Sequence, residues 1–547
     1  MARTELDDIA ACLALPDDAV DPRGREVLKI DPERVRDDRG GKVVLVTAMT
    51  PTPAGEGKTT TSIGLVDGLS RRGVRAIAAL REPSLGPLFG RKGGAVGGGL
   101  AKVLPPDAIN LHFTGDLHAV TSAHNLLSAL VDNHMFFDKA PALDPTKITW
   151  GRVLDMNDRA LRTVEVGFAT KKGPVRRDRF DITAASEVMA VLCLSRDMED
   201  LRARLDRIIV GLGPDGRPVT ARDLEAGGAM AAILLDAARP NLVRTLENNP
   251  VLMHGGPFAN VAQGTSSLMQ TKLARKLADV VVTEAGFAFD LGGFKFLDLK
   301  CRAGGFLPSA VVLVATVRAL RHHGGARFED GPNAAAVEKG LENVLAHVES
   351  MARLGLPPPV VAINRFPDDG DDELALIERT LAGVGARAVP GEYFARGGAG
   401  AEALAEAVED ALERHVNAST YRGPYDDAMP IPEKLSQVAR VVLGGTGAEL
   451  TDKAKADLEV IERMGLGHLP VCLAKTHLSI SDDATVLGRP APFTLRITGL
   501  RPAAGAGFVV ALCGPIRTMP GLPEQPAAAG VDVERGADGS WSIVGLR

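Results

Sequence analysis

Short apolar runs alternate with segments of helical periodicity along most of the chain. The first apolar run, 42–50, is rich in Val, as expected of a parallel strand buried on both faces. A helix is predicted over 59–72, where Gly73 ends it, and a second strand over 74–80. This order predicts a βαβ unit with a short crossover. The same alternation further along the chain predicts a mostly parallel α/β sheet.

A glycine-rich segment joins the first predicted strand to its helix. Gly55 and Gly57 allow positive φ and bring backbone N–H groups close to phosphate oxygens. Lys58 can reach the β- and γ-phosphates of a nucleotide, and the hydroxyl of Thr59 is the expected Mg²⁺ ligand. The helix directs its positive N-terminal end at the same anion. The predicted nucleotide-binding residues, which we call the phosphate loop, are Thr52, Pro53, Ala54, Gly55, Glu56, Gly57, Lys58 and Thr59.

This loop departs at one position from the phosphate-binding pattern G-x-x-x-x-G-K-[ST]. Thr52 takes the place of the first Gly, and the flanking Pro51 and Pro53 predict a stiffer start of the loop. A chance glycine turn before a helix is the alternative interpretation. The agreement of strand, loop, Lys-Thr pair and helix favours a site for ATP or a close relative.

The length of 547 residues predicts two to four domains. A long helix is predicted over 182–209, and a strand over 360–363 follows a proline-rich hinge near residue 350. A second break is expected near 425–440. The fold prediction is therefore α/β: a P-loop NTPase-like domain with a mostly parallel sheet, followed by two smaller α/β or α+β domains. The predicted domains are 1–350, 351–437 and 438–547.

The segment 81–99 holds two Pro and seven Gly directly after a predicted strand. This composition predicts an irregular functional loop at the carboxyl end of the sheet, beside the phosphate loop. Arg81, Glu82, Arg91 and Lys92 favour that interpretation, because such side chains bind anions and metals. A flexible linker is the alternative.

Four histidines lie within 109–135, at positions 112, 118, 124 and 134. No two of them are spaced one helical turn apart, and no Cys joins them, so a histidine-based metal site is disfavoured. Polar lining of a pocket, by Asp116 and some of these histidines, is favoured instead.

Composition narrows the function classes further. A net charge of −6 argues against a general nucleic-acid surface. No apolar run approaches the ~20 residues that cross a membrane, and the N-terminus lacks the apolar segment of a secretory signal. The five cysteines are dispersed and form no C-x-x-C pair, which predicts reduced, buried thiols and a cytoplasmic location.

A series of short motifs runs in order from about residue 40 to the C-terminus. They are TPTPAGEGKTTTS, REPSLGP, GGAVGGG, INLHFTGD, MNDRALR, FDITAASE, HGGPFAN, VVTEAGF, VATVRAL, VAINRF, LPVCLAKT, SDD, GAGFVVALCG and MPGLP. In these motifs, and over nearly its whole length, the chain resembles the formate–tetrahydrofolate ligase family, also called formyltetrahydrofolate synthetase. The length resembles that of the single-activity bacterial form, with no dehydrogenase or cyclohydrolase segment expected ahead of it.

The resemblance implies a two-step reaction. Formate attacks the γ-phosphate of ATP to give formyl phosphate and ADP, and folate N10 then attacks the formyl carbon to give 10-formyltetrahydrofolate and phosphate. Lys58 and Mg²⁺ would clamp the transferred phosphoryl group. Arg81 matches the family's arginine for formate and formyl phosphate, and its planar fork suits both anions; a surface salt bridge is the alternative. Glu82 and Asp116 are expected as polar partners in this catalytic pocket.

The folate site and the assembly are also implied by the resemblance. The family stacks the pterin ring between two aromatic side chains, and the matching positions are Phe366 and Phe394. The second position is usually Trp, so the smaller Phe predicts weaker folate binding. Family members are usually homotetramers activated by a monovalent cation, K⁺ or NH₄⁺. The expected partners are thus ATP, formate and tetrahydrofolate, with neither nucleic acid nor membrane.

Two other functions use a similar phosphate loop. One is a carboxylate-activating ATPase of the dethiobiotin-synthetase type, which the extended glycine-rich cleft and the additional domains disfavour. The other is a nucleotide-dependent switch or partitioning protein, whose ATP hydrolysis drives assembly. Release of ADP that depends on both formate and tetrahydrofolate separates the ligase from both.

Overall fold

The structure is a computed structural model that describes residues 4–90, 94–167, 173–414 and 420–546. Arg91 and Lys92, which we expected to contact anions or metals, lie outside these ranges. Within them, a large central sheet is covered by helices on both faces and accompanied by several small sheets.

Strands and helices alternate through most of the chain. The strands are β1 (Val20–Pro22), β2 (Leu28–Ile30), β3 (Lys42–Ala48), β4 (Ala76–Leu80), β5 (Gly97–Gly98), β6 (Ala101–Leu104), β7 (Arg152–Leu154), β8 (Val164–Val166), β9 (Arg176–Asp178), β10 (Phe180–Ile182), β11 (Ile209–Leu212), β12 (Pro218–Thr220), β13 (Asn241–Thr245), β14 (Pro250–Met253), β15 (Val280–Glu284), β16 (Ala310–Ala315), β17 (Val360–Asn364), β18 (Arg387–Gly391), β19 (Gly447–Leu450), β20 (Val471–Ala474), β21 (Thr494–Ile497), β22 (Gly499–Ala503), β23 (Phe508–Leu512), β24 (Asp532–Arg535) and β25 (Trp541–Val544). The α-helices are α1 (Glu5–Cys12), α2 (Lys58–Arg71), α3 (Leu85–Gly90), α4 (Pro106–Asn110), α5 (Asp116–Phe136), α6 (Glu187–Leu194), α7 (Met198–Asp206), α8 (Gly227–Leu234), α9 (Leu268–Leu277), α10 (Arg302–Gly304), α11 (Val317–His323), α12 (Ala334–Arg353), α13 (Asp371–Ala382), α14 (Tyr393–Arg396), α15 (Glu402–Arg414), α16 (Ile431–Val441) and α17 (Asp452–Arg463). Two π-helical stretches, Phe289–Gly293 and Phe296–Cys301, precede α10.

The central sheet is mostly parallel. In the described chain it contains twelve strands, of which seven neighbours run parallel in the order β14-β4-β15-β3-β16-β17-β18. Strands β1, β2 and β13 and the β5–β6 hairpin add antiparallel pairs at one side. The prediction of an α/β fold with a mostly parallel sheet is confirmed.

Burial on both faces explains the Val-rich strands. Successive side chains of a strand point to opposite faces. Accordingly, Val43 and Leu45 of β3 pack with α9, α11 and α12, whereas Val44 and Val46 pack with α2 and α15. A strand enclosed in this way needs apolar side chains at every position.

The predicted βαβ unit is present, but its two strands are not neighbours. Strand β15 lies between β3 and β4 and pairs in parallel with both. The crossover through α2 therefore passes over one strand, and that strand comes from about two hundred residues further along the chain. Its insertion brings Glu284 to the edge where the phosphate loop begins.

Two local predictions were wrong. The helix expected over 182–209 is two helices, α6 and α7, followed by β11. Ser195 ends the first by donating to the Val191 carbonyl at 2.6 Å, and Asp197 caps the second. The segment 81–99 is not irregular throughout, since it contains α3 and β5. A distant carboxylate, Asp155, accepts a hydrogen bond from Leu85 N at 3.0 Å at the start of α3.

The chain beyond residue 350 contributes to the same central sheet through β17 and β18. The segment after residue 440 forms small sheets of its own, including β20-β23-β22. The division into three domains stays a prediction. Across the described ranges, no helix combines the length and the apolar character needed to cross a membrane. Cys12 is exposed, contrary to the expectation of buried thiols, while the other four cysteines are buried and all five are unpaired.

Candidate functional site

Seven parallel strands end at one edge of the central sheet, and most of the predicted site residues directly follow one of them. The loop 52–59 comes after β3, Arg81 and Glu82 after β4, and Phe366 after β17. Ligands of parallel α/β sheets bind in the crevice outside the carboxyl ends of the strands. The topology therefore gathers residues from distant parts of the sequence beside one crevice.

The phosphate loop has the backbone that its glycines predict. Gly55 and Gly57 have φ of 78° and 77°, and Gly57 occupies the N-cap of α2. A Cβ on Gly57 would lie 2.4 Å from Asn364 Nδ2, so a larger residue would clash as well as strain the backbone. The tip, Pro53 to Gly55, is exposed. The loop thus opens to solvent at the N-terminus of a fourteen-residue helix, which is a favourable place for an anion.

Glu56 stabilises the shape of this loop from inside. Its Oε1 accepts a hydrogen bond from Thr52 N at 2.7 Å, and its Oε2 accepts one from Thr316 Oγ1 at 2.5 Å. Asn364 Nδ2 donates to the Glu56 carbonyl at 3.3 Å. The Glu56 side chain is buried, and both of its carboxylate oxygens accept hydrogen bonds from the protein.

Thr59 and Glu284 place two hard oxygen ligands side by side. Thr59 Oγ1 donates to Glu284 Oε2 at 2.9 Å, and Glu284 is buried at the end of β15. Mg²⁺ in nucleotide sites usually takes one or two protein oxygens and completes its shell with phosphate oxygens and water. The pair fits that requirement. In the described ranges no group of three or more His, Cys, Asp or Glu residues could hold a metal ion without such help.

Arg81 presents its guanidinium to the same carboxylate. Arg81 Nη2 lies 3.6 Å from Glu284 Oε1, and Nη1 donates to the Pro257 carbonyl at 3.5 Å. Both contacts are long, and the buried Nε has no partner among the described residues. A buried donor left without a partner costs stability. The guanidinium can therefore still donate hydrogen bonds to an anion. Because its partner Glu284 is buried, the pair is not a surface salt bridge.

Lys58 lies between these charges. Burial of its ammonium lowers the pKa of Lys58, and nearby Arg81 adds to this while the Glu284 carboxylate opposes it. Within the described part of the chain Lys58 makes neither a hydrogen bond nor an ion pair. Its charge is therefore available to a phosphate.

A buried polar cluster lies directly behind Arg81. Lys29 Nζ donates to both carboxylate oxygens of Asp116, at 2.8 and 3.0 Å. Asn241 Nδ2 donates to Asp116 Oδ2 at 2.9 Å and to Glu82 Oε1 at 3.1 Å. Burial, together with the nearby Asp116 carboxylate, raises the pKa of Glu82 well above its usual range, although Lys29 opposes the shift. The cluster thus places two buried carboxyl groups, Glu82 and Asp116, around one amide and one ammonium donor.

The two predicted aromatic residues emerge from neighbouring strand ends. Asn364 of β17 is paired with Gly391 of β18; Phe366 follows the first and Phe394 the second. The Arg318 guanidinium lies 5.1 Å from the Phe366 ring centre and donates to the Gly55 carbonyl at 3.1 Å, which links this ring to the phosphate loop. Phe394 is 63% exposed. In the described ranges the two rings make no contact with each other.

The family model of formate–tetrahydrofolate ligase matches residues 1–546. The chain belongs to the formate–tetrahydrofolate ligase family. It is therefore an enzyme of the C–N bond-forming ligase class, EC 6.3.4.3, whose substrates are ATP, formate and tetrahydrofolate. This confirms the resemblance of the motifs and favours the ligase over the ATPase and switch alternatives.

Of the four histidines within 109–135, two lie together and the other two lie elsewhere. His112 Nδ1 and His118 Nε2 are 3.0 Å apart, with their rings stacked. His124 stacks on Trp150 and lines a cavity of about 470 Å³. His134 Nε2 is 2.7 Å from the Pro141 carbonyl. Of the residues expected to line a polar pocket, Asp116 joins the cluster behind Arg81.

Four residues of the candidate site were missed by sequence reasoning: Lys29, Asn241, Glu284 and Arg318. Glu284 offered a signal, because it is an acid directly after an apolar strand. Lys29 offered a weaker one, as a charge between Leu28 and Ile30. Neither signal identifies a partner, since the partners are distant in sequence.

Proposed function

We propose that this chain ligates formate to tetrahydrofolate through formyl phosphate, giving 10-formyltetrahydrofolate, ADP and phosphate. Family membership supports the overall ligase reaction. The observation that carries the finer proposal is the meeting of Lys58, Arg81 and Glu284 beside the phosphate loop, with a guanidinium whose buried Nε has no protein partner in the described ranges.

In this proposal the sheet domain binds ATP as a P-loop NTPase does. The triphosphate lies along residues 52–59, with its charge facing the N-terminus of α2. Thr59 and Glu284 would hold Mg²⁺, which neutralises charge on the β- and γ-phosphate oxygens when bound. Lys58 contacts the transferred phosphoryl group. Glu56 keeps the loop in shape without entering the chemistry.

Arg81 positions formate for attack on the γ-phosphorus. Two N–H groups of one guanidinium can bind both oxygens of a carboxylate, which leaves little freedom of orientation. One formate oxygen bonds to phosphorus as the bond to the ADP oxygen breaks. Arg81 then faces formyl phosphate, whose charge again suits a guanidinium. Glu82 and Asp116 support this side of the pocket from the buried cluster.

Folate binds across the ends of β17 and β18 in the proposed complex, with the pterin ring between Phe366 and Phe394. N10 attacks the formyl carbon, and the bond between that carbon and the phosphate oxygen breaks, so that phosphate leaves and takes up the proton released from N10. Exclusion of water is needed at this stage, because formyl phosphate hydrolyses readily. The contact of Arg318 with both Phe366 and Gly55 supports a site in which the two substrates lie next to each other.

The same proposal covers the organisation of the protein. Residues 1–350 would carry nucleotide and formate, 351–437 the aromatic folate contacts, and 438–547 a C-terminal domain. We expect a cytoplasmic homotetramer activated by K⁺ or NH₄⁺. Light scattering of the purified protein and activity titrations with each cation test these two expectations.

Release of ADP in the presence of each substrate alone and of both tests the reaction. We expect ADP release only when formate and tetrahydrofolate are both present, with one methenyl chromophore formed in acid for each ADP. ADP release that ignores formate but rises with a membrane or protein partner would contradict the proposal. Lys58→Ala is expected to abolish turnover under every alternative and therefore does not discriminate among them.

A further inference from the structure

A second cavity lies away from the phosphate loop, between the large sheet body and the C-terminal segment. Its volume is about 530 Å³, within the range of small-molecule sites. It is bounded by the end of α7, by the helical stretch around Leu299 and by the chain that follows α17. None of its described lining residues belongs to the proposed catalytic site. We call it the arginine cavity.

The charged residues of the arginine cavity are all basic. Arg204, Arg207 and Arg302 line it together with His468, and no Asp or Glu is among its described lining residues. This is unusual for a chain whose net charge is −6. A cavity lined by one sign of charge attracts small ions of the opposite sign.

Arg207 is the guanidinium available for a ligand. Arg204 is engaged by Asp200 at 3.1 Å, and Arg302 by Asp298 at 2.7 Å. Arg207 forms neither a hydrogen bond nor an ion pair through its side chain within the described residues. Burial and the nearby Arg204 lower the pKa of Arg207, and Asp200 opposes them.

The floor of the arginine cavity is apolar. Leu299, Met464 and Phe508 line it beside the basic groups. An inorganic anion would leave this surface without a partner, whereas an organic anion could cover it and gain from its burial. The combination of an apolar floor and an unpaired guanidinium thus specifies a ligand with both an apolar body and an anionic group.

We propose that the arginine cavity is a second ligand site, which binds a small organic anion. The carboxylate or phosphate of the ligand ion-pairs with Arg207, and its apolar body packs on Leu299, Met464 and Phe508. A guanidinium suits both kinds of anion bidentately. The site is separate from the proposed formate and folate sites and does not depend on them.

Isothermal titration of the full chain with three matched probes tests this site. The probes are 2-naphthoate, 2-naphthyl phosphate and the uncharged 2-naphthamide, each added in the presence of saturating ADP and tetrahydrofolate. We expect saturable binding of one or both anions, and the anion that binds identifies the preferred group. Arg207→Ala should weaken that binding about tenfold or more, because a charge-assisted hydrogen bond is lost.

Arg217→Ala is the matched control, since the Arg217 side chain is 87% exposed and, among the residues that the structure describes, pairs only with the neighbouring Asp215. It should change the affinity less than about twofold. Ligase activity and the thermal midpoint should be unchanged in both variants, which verifies the fold. Three results would each overturn the proposal: no saturable anion binding, equal affinity for naphthamide, or undiminished affinity in Arg207→Ala.

Discussion

Replacing Arg81 with lysine tests the central contact of the proposed mechanism. The substitution keeps the positive charge beside Glu284 but removes the planar fork. In the structure the guanidinium makes two long contacts, at 3.6 Å to Glu284 Oε1 and at 3.5 Å to the Pro257 carbonyl, while its Nε has no partner in the described ranges. A lysine ammonium can contact only one of these groups at a time.

The expected loss is set by one charge-assisted hydrogen bond to formate. Such a bond contributes about 1.5–3 kcal/mol, which corresponds to a fall of about ten- to hundredfold in kcat/KM for formate. The nucleotide should be affected much less, because residues 52–59 and α2 are unchanged. We therefore expect the dissociation constant of ADP to stay within about twofold of the wild-type value.

The assay follows the acid-formed methenyl chromophore over a series of formate concentrations, with ADP binding measured separately by titration. Arg39→Lys provides a control, since Arg39 forms an exposed ion pair with Asp279 at 2.8 Å and should leave kcat/KM unchanged. A kcat/KM for formate in Arg81→Lys equal to that of the control would refute the assignment of bidentate binding to Arg81.

Three further substitutions test other parts of the structure. Lys29→Met should lower the free energy of unfolding, measured in urea, by about 3–5 kcal/mol, because it leaves Asp116 as a buried carboxylate without its ammonium partner. Adding Asp116→Asn should restore part of this loss. No recovery in the double variant would contradict the ion-pair argument. Burial raises the pKa of Asp67 from 3.8 to about 6, so the folded chain binds an extra proton between these values and its stability falls as the pH rises through them. Asp67→Asn should remove this dependence. Its free energy of unfolding should therefore rise relative to that of the wild type by roughly 2–3 kcal/mol as the pH goes from about 4 to about 7. Parallel pH profiles of the two proteins would contradict this explanation. Phe394→Trp should lower the KM for tetrahydrofolate, since indole stacks over a larger area; an unchanged KM would argue against stacking at this exposed position.

Much of the fold around the phosphate loop could be predicted from local pattern. The strand expected over 42–50 is Lys42–Ala48, and the helix expected over 59–72 is Lys58–Arg71. Both follow from short-range physics: apolar residues at every position require burial on both faces, and helix ends are marked by neighbouring residues. The positive φ of Gly55 and Gly57 follows equally directly from the absence of a side chain.

Helix continuity and loop structure were less predictable, because they depend on contacts made elsewhere. The periodicity of 182–209 continues across Ser195 and Asp197, yet their side chains hydrogen-bond to nearby backbone and separate two helices. Segment 81–99 is rich in glycine, yet α3 forms where Asp155, far along the chain, binds its first N–H group.

The partners of the site residues could be known only from the folded chain. Glu284 meets Thr59 and Arg81 because β15 inserts between β3 and β4. Lys29, on the antiparallel strand β2, meets Asp116 at the start of α5. Parallel strands need not be neighbours in sequence, so the order of strands in a sheet has no local signature. Residue types and spacing therefore indicate which groups could bind a triphosphate, whereas long-range strand pairing sets which carboxylate, ammonium and guanidinium face one another.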